Sequence, residues 1–247
     1  MRKVAIMAAS CAAIFGVVSV AQAIEADQGL EVSVSGAKKG TKKKPSAVKL
    51  TVTTLTAGKG ATPDGTFGTT NAVIHFDKAL VFNNKQFPTC TEAQVNNDAT
   101  KCPKGSKVSV DGSSSKAKAQ GGTGATAIKA NPAITAYNAS GGKLILKLTS
   151  PTGEFNATGT IVATLKKDTG SYGSKLVVPI PEKYYNQFGI KITLQRFGAL
   201  ISAKTKVKGK TVSYVASTGC KKPLKFAGDF TFTDGATLKA STTAACK

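Results

Sequence analysis

The sequence predicts an all-β protein, an antiparallel β-sandwich built as one large sandwich or two small tandem ones, after a cleaved signal peptide. Three observations carry this expectation. Apolar residues alternate with Lys, Thr, Ser or Glu through most of the 247 residues, the period of two that turns one face of a strand toward a core. Thr and Val are abundant, and 25 glycines punctuate the runs, as tight turns between strands require. Only two short segments invite a helix, residues 92–97 and 181–188, the second with a Pro at its first position.

Residues 1–23 read as a secretory leader. Arg2 and Lys3 give the positive start, an apolar stretch spans 4–20, and Ala21-Gln22-Ala23 supplies the small-x-small cleavage pattern. The expected mature region is 24–247, secreted or held in the cell envelope, with no second apolar run long enough to span a membrane. Cys11 lies inside the leader. Ala8-Ala9-Ser10 before it lacks a leading aliphatic residue, so no lipid anchor is expected there.

Strands follow in series. Leu30, Val32 and Val34 alternate with Glu31 and Ser33, then Val48, Leu50 and Val52 with Lys49 and Thr51. The pattern returns at 73–76, 107–110, 134–137, 144–148, 160–165 and 176–180. It continues at 190–194, 199–203, 212–215, 224–232 and 237–240, with Asp234-Gly235 as a hairpin signal between the last two. Residues 36–46 and 112–126 read as loops, the second rich in Ser, Gly, Ala and Lys and a candidate subdomain boundary.

Four cysteines remain after the leader: Cys90, Cys102, Cys220 and Cys246. An even count in an exported chain predicts two disulfides, and four cysteines allow three connectivities. The local pairs, Cys90–Cys102 and Cys220–Cys246, close modest loops and are the expected ones; loops of that size contribute about 3 kcal/mol each. No CxxC spacing is present, and the single His75 offers no zinc set.

The net charge is +21, or +19 without Arg2 and Lys3. Beyond the leader the only arginine is Arg196, so the charge is almost wholly lysine. Arginine reads base edges and grips phosphates bidentately, whereas lysine is a hydrated point charge. A diffuse polyanion-binding surface is therefore expected, not a sequence-specific nucleic-acid reader. Lys38, Lys39, Lys42, Lys43 and Lys44 form its densest part. The competing reading of that cluster is a solvated loop that blunts a strand edge. Aromatics make up 6% and Trp is absent, which disfavours sugar-stacking and base-stacking platforms.

Catalytic signatures are sparse. Asp168-Thr169-Gly170-Ser171 matches the loop of aspartic peptidases, but Lys166 and Lys167 precede it and no second copy occurs in the chain. No Gly-x-Ser-x-Gly elbow and no phosphate-cradling Gly loop ending in Lys-Ser/Thr is present. His75 reads as structural. The 13 acidic residues are scattered, with no pair spaced for glycoside hydrolysis or calcium. Asn138-Ala139-Ser140 and Asn156-Ala157-Thr158 match the N-glycosylation pattern and read as polar turns.

Several blocks carry a resemblance. Gly40-Thr41-Lys42-Lys43-Lys44-Pro45, Phe87-Pro88-Thr89-Cys90-Thr91 and Lys101-Cys102-Pro103-Lys104-Gly105-Ser106 are similar to segments of secreted β-rich proteins of actinobacteria. Tyr172-Gly173, the run Val178-Pro179-Ile180-Pro181 and the late Cys246 fit the same group. The resemblance implies an exported β-rich fold and carries over no catalytic residue.

Together these readings predict a non-enzymatic, exported, envelope-associated protein whose lysines make weak, salt-sensitive contacts with anionic polymers, without cofactor or metal. Two alternatives stand beside it: a structural or adhesin-like subunit that self-associates through strand edges, and a secreted hydrolase with Asp77, Asp168 and His75 as first suspects.

Overall fold

A computed structural model of the protein describes residues 26–58, 67–122, 127–151 and 157–246. Residues 1–23, read above as a leader, with Cys11 among them, and Asn156 lie outside the described residues.

Strand β1 (Ala26–Ser35) leads through the lysine-rich turn to β2 (Ser46–Ala47) and β3 (Lys49–Gly58). Strands β4 (Thr69–Asp77) and β5 (Leu80–Phe82) precede a single α-helix, α1 (Glu92–Asp98). Next come β6 (Ser109–Val110), β7 (Ala117–Gly121) and β8 (Ile128–Ala130). A meander follows: β9 (Ala133–Ala139), β10 (Lys143–Thr149), β11 (Gly159–Lys167) and β12 (Tyr172–Pro179). The chain continues as β13 (Asn186–Gln187), β14 (Ile190–Ile201), β15 (Lys204–Val207), β16 (Lys210–Ser213) and β17 (Val215–Ser217). The hairpin of β18 (Leu224–Phe232) and β19 (Thr237–Ala244) completes the order.

Two antiparallel sheets form the expected sandwich. The first runs β1-β3-β14-β7-β8, with β6 and β13 also paired to β14; the second runs β19-β18-β4-β12-β11-β10-β9. Alternation sets what they share. Leu50 and Val52 from β3, Ile74 and Phe76 from β4, Leu144 and Leu146 from β10 and Phe226 and Phe230 from β18 all point between the sheets. One contiguous apolar core extends from Leu30 to Ala244, so the two sheets form a single sandwich. β1 lies against β19. The free edge of β9 is covered by the 106–117 segment, where Val108 N donates to Ala136 O and Ile134 N to Ser115 O.

The outer face of the second sheet is partly covered. A capping box opens α1: the Thr91 hydroxyl accepts from Gln94 N, while the Gln94 side chain accepts from Thr91 N. Val95 is fully buried against Tyr137, Ala139 and Ile145, beside the Cys90–Cys102 disulfide. The second disulfide joins Cys220 to Cys246, so both local pairs form, with Cα separations of 5.2 and 6.0 Å.

Three local expectations change. Within the 112–126 segment, read as a loop, residues 117–121 form β7 and pair with β14. Ala117 and Ala119 are small enough to bury where larger apolar residues would have signalled a strand. The separate runs at 190–194 and 199–203 merge into β14, with a bulge between Leu194 and Arg196 that breaks the alternation. The 181–188 segment keeps only a 3-10 turn, Glu182–Tyr184, because β13 pairs back onto β14.

Asn138, read as a polar turn, is instead fully buried. Its amide donates to the carbonyls of Asn84, Phe87 and Pro88, and its Oδ1 accepts from the Tyr214 hydroxyl at 3.2 Å. Burial pushes the Tyr214 phenol up, which keeps it a donor. The interior is not filled everywhere: a void of about 100 Å3 remains between the sheets, its wall almost wholly apolar. A void of this size costs about 2 kcal/mol relative to a filled core.

Replacing Asn138 by Ala takes their side-chain donor from the Phe87 and Pro88 carbonyls and the acceptor from the Tyr214 hydroxyl, so urea denaturation of Asn138→Ala is expected to show a loss of about 3 kcal/mol. Tyr214→Phe, which removes one hydroxyl from the same network, is expected to lose about 1 kcal/mol.

Candidate functional site

Two charged features stand out. The first is the turn between β1 and β2. Lys38, Lys39, Lys42, Lys43 and Lys44 are all exposed, while Ala37 is fully buried and anchors the turn. The Lys44 N–H donates to the Thr41 hydroxyl and the Thr41 N–H to Lys44 O, each at 3.0 Å. The Ser46 hydroxyl donates to Gly36 O at 2.6 Å. Gly40 packs backbone to backbone on the 217–219 turn. A Cβ at Gly40 would fall 2.0 Å from Ser217 O, and one at Gly219 would fall 2.2 Å from Gly40 O. Glycine is therefore required at both positions. This contact sets exposed Lys221 and Lys222 beside the lysine turn.

The second feature lies on the open part of the outer face of the second sheet. His75 on β4 sits between two carboxylates. Its Nδ1 is 2.5 Å from Asp168 Oδ2, and its Nε2 is 3.1 Å from Asp229 Oδ2. Register brings the three together. His75 pairs with Ala227 on β18, which sets Asp229 two residues along on the same outer face, while Asp168 follows β11 in the turn to β12. Lys175 Nζ lies 3.7 Å from Asp168, Lys239 Nζ 3.8 Å from Asp229, and the Tyr172 ring is centred 5.3 Å from the imidazole. The Asp168 side chain is 6% exposed. Burial acts to raise its carboxyl, but hydrogen bonds from His75 and the Thr169 N–H, with the Lys175 charge, outweigh it and hold the group below its ordinary 3.8.

This arrangement has limited chemistry. Only the imidazolium can donate from both nitrogens, whereas a neutral ring serves one carboxylate at a time. With both nitrogens engaged, neither is free to take a proton from a nucleophile. The carboxylates lie on opposite sides of the ring and cannot converge with it on one metal. Among the described residues no group of three His, Cys, Asp or Glu is placed to hold a metal, and no helix is long and apolar enough to cross a membrane.

Of the three hydrolase suspects, the fold joins His75 to Asp168 and leaves Asp77 apart. Asp77 is occupied by backbone: its two oxygens accept from the N–H groups of Ala79 and Lys225. Asp229 was not signalled in the sequence, because it is one outward residue in a regular alternating run. Only the β4–β18 register reveals it. No known protein family, curated protein or solved structure matches the chain.

The folded-state carboxyl of Asp168 lies below its unfolded value, so its ionised form stabilises the fold above that unfolded value. The contribution fades as pH falls through the folded value. Asp168→Asn is accordingly expected to be less stable than the parent at about pH 7, with the gap closing below about pH 4. Urea denaturation at a series of pH values measures the gap, and a gap independent of pH would contradict the assignment.

Proposed function

We propose that this is an exported, non-enzymatic β-sandwich protein that binds anionic envelope polymers through one lysine-rich end. The observation that carries the reading is the pinned β1–β2 turn against the 217–219 turn. Residues 36–49 and 217–225 hold nine lysines and no Asp or Glu, and the Gly40–Gly219 backbone contact makes them one surface. A turn held by its own backbone presents its charges without ordering a loop on binding, which lowers the entropic cost of each contact. Lysine ammonium groups suit a polymer whose charges are spaced irregularly, since they demand no bidentate geometry. Two disulfides are compatible with an oxidising compartment.

Self-association through strand edges has less support. The long edges β1 and β19 face each other, and the free side of β9 is covered. A hydrolase would have to work around an imidazole already held by two carboxylates.

The test is binding of the oxidised protein to isolated envelope material, and to long-chain polyphosphate as a defined probe, as salt rises. Affinity is expected to fall steadily with salt. Converting Lys38, Lys39, Lys42, Lys43 and Lys44 to Gln is expected to weaken polyphosphate binding at low salt by roughly tenfold or more and to flatten the salt slope. Binding unchanged by the five substitutions would remove this turn from the reading.

A second prediction concerns its scaffold. A methyl group at Gly40 meets a backbone carbonyl and not a flexible side chain, so Gly40→Ala is expected to lose about 2 kcal/mol of stability by thermal or urea denaturation.

A further inference from the structure

On the side of the sandwich where the 80–89 segment, the Ser140–Gly142 turn and the adjoining ends of β11 and β12 meet, an open cleft of about 680 Å3 forms. Lys78, Lys85, Lys166 and Lys167 line it, all exposed, and no Asp or Glu does. Ser174 belongs to the same wall, with its hydroxyl behind the surface. That hydroxyl is buried and, among the described residues, has no hydrogen-bond partner. A buried hydroxyl without a partner is costly, and four lysines in a wall that holds no carboxylate favour a ligand that brings an anionic oxygen.

The cleft backs onto the void between the sheets. Phe82 and Leu165, both half-buried, line the cleft on one side and the void on the other. The void is long and thin. Its wall includes four successive inward positions of β3 (Leu50, Val52, Thr54 and Thr56), a run of about 20 Å at strand rise, for a volume of only about 100 Å3. Such a shape suits an extended alkyl chain better than a ring. Small residues line the void from opposite sheets, Ala72 on β4 and Ala199 on β14. Apolar side chains that point inward yet remain half-buried, such as Val52, Leu176 and Phe197, gain contact surface when a chain fills the space.

We propose that cleft and void are one binding site for an anionic single-chain amphiphile. The four lysines hold the charged headgroup against the wall that contains Ser174, and the alkyl chain passes between Phe82 and Leu165 into the space between the sheets. None of these residues belongs to the lysine turn, so the site stands whether or not that turn binds polymers.

Decanoate and 1-decanol, titrated into the full chain by calorimetry, separate the two halves of the site. Lys166→Gln combined with Lys167→Gln is expected to weaken decanoate by about tenfold and leave 1-decanol unchanged. Ala199→Leu fills the void and is expected to weaken both ligands by about tenfold while the thermal midpoint holds or rises. Ala72→Val fills it from the other sheet and serves if Ala199→Leu fails to fold. In carbon-13 methyl spectra, decanoate is expected to shift Val52 and Leu176 and to leave Val95, on the far side of the second sheet, unmoved. Absence of decanoate binding, or affinity untouched by both void-filling variants, overturns the proposal. So does decanoate affinity that is lost in the five-lysine turn variant yet kept in the Lys166/Lys167 variant, since the ligand would then sit on the turn.

Discussion

The register of β4 between β12 and β18 is the constraint on which the rest of the molecule depends. It faces Ile74 and Phe76 into the core and sets His75 outward, opposite Lys175 on one side and Ala227 on the other. A slip of one residue would bury an imidazole and expose two large apolar side chains. The flanking aromatic contacts hold the register. The Phe76 ring meets Phe82 at a centroid distance of 4.9 Å and Phe226 at 6.4 Å, edge-on in the second case. Core packing therefore decides where the charged outer face falls, and the His75–Asp168–Asp229 cluster is a consequence of it.

The distribution of acidic residues matters as much as that of lysines. Asp77 receives two backbone N–H groups, Asp98 receives Thr100 N, Asp234 receives Ala236 N and Glu92 accepts from the Thr160 hydroxyl. Asp111 pairs with Lys107, and Asp168 and Asp229 hold His75. These carboxylates act locally, closing turns and fixing side chains. No Asp or Glu lies within residues 36–49 or in the wall of the cleft, so positive charge is concentrated at these two places.

Much of the fold was legible in the sequence because its signals are local. Strand alternation at β3, β10, β11 and β18, the Asp234-Gly235 hairpin, the short helix between Cys90 and Cys102 and the two local disulfides each depend on neighbouring residues. What was not legible depends on distant pairing. β7 is built on alanines, whose burial needs β14 beside them. Asn138 looks like a turn residue until the 84–88 carbonyls and Tyr214 converge on it from elsewhere in the chain. The imidazole's two carboxylates are 93 and 154 residues away. Of the candidate residues, the lysine turn was visible as a charge cluster, whereas Asp229 and the lysine-lined cleft exist only once the strands are in register.

The contact between β1 and β19 places the first strand of the sandwich beside the last. A chain still lacking its final hairpin cannot shield the β1 edge, so closure must await the β18–β19 hairpin. Most native pairings in such a topology join residues far apart in sequence, which makes folding slow and leaves open edges on intermediates. The same adjacency joins the beginning and end of the fold in space. Tension applied between them would open the sandwich by separating β1 from β19 before it disturbed the core between the sheets.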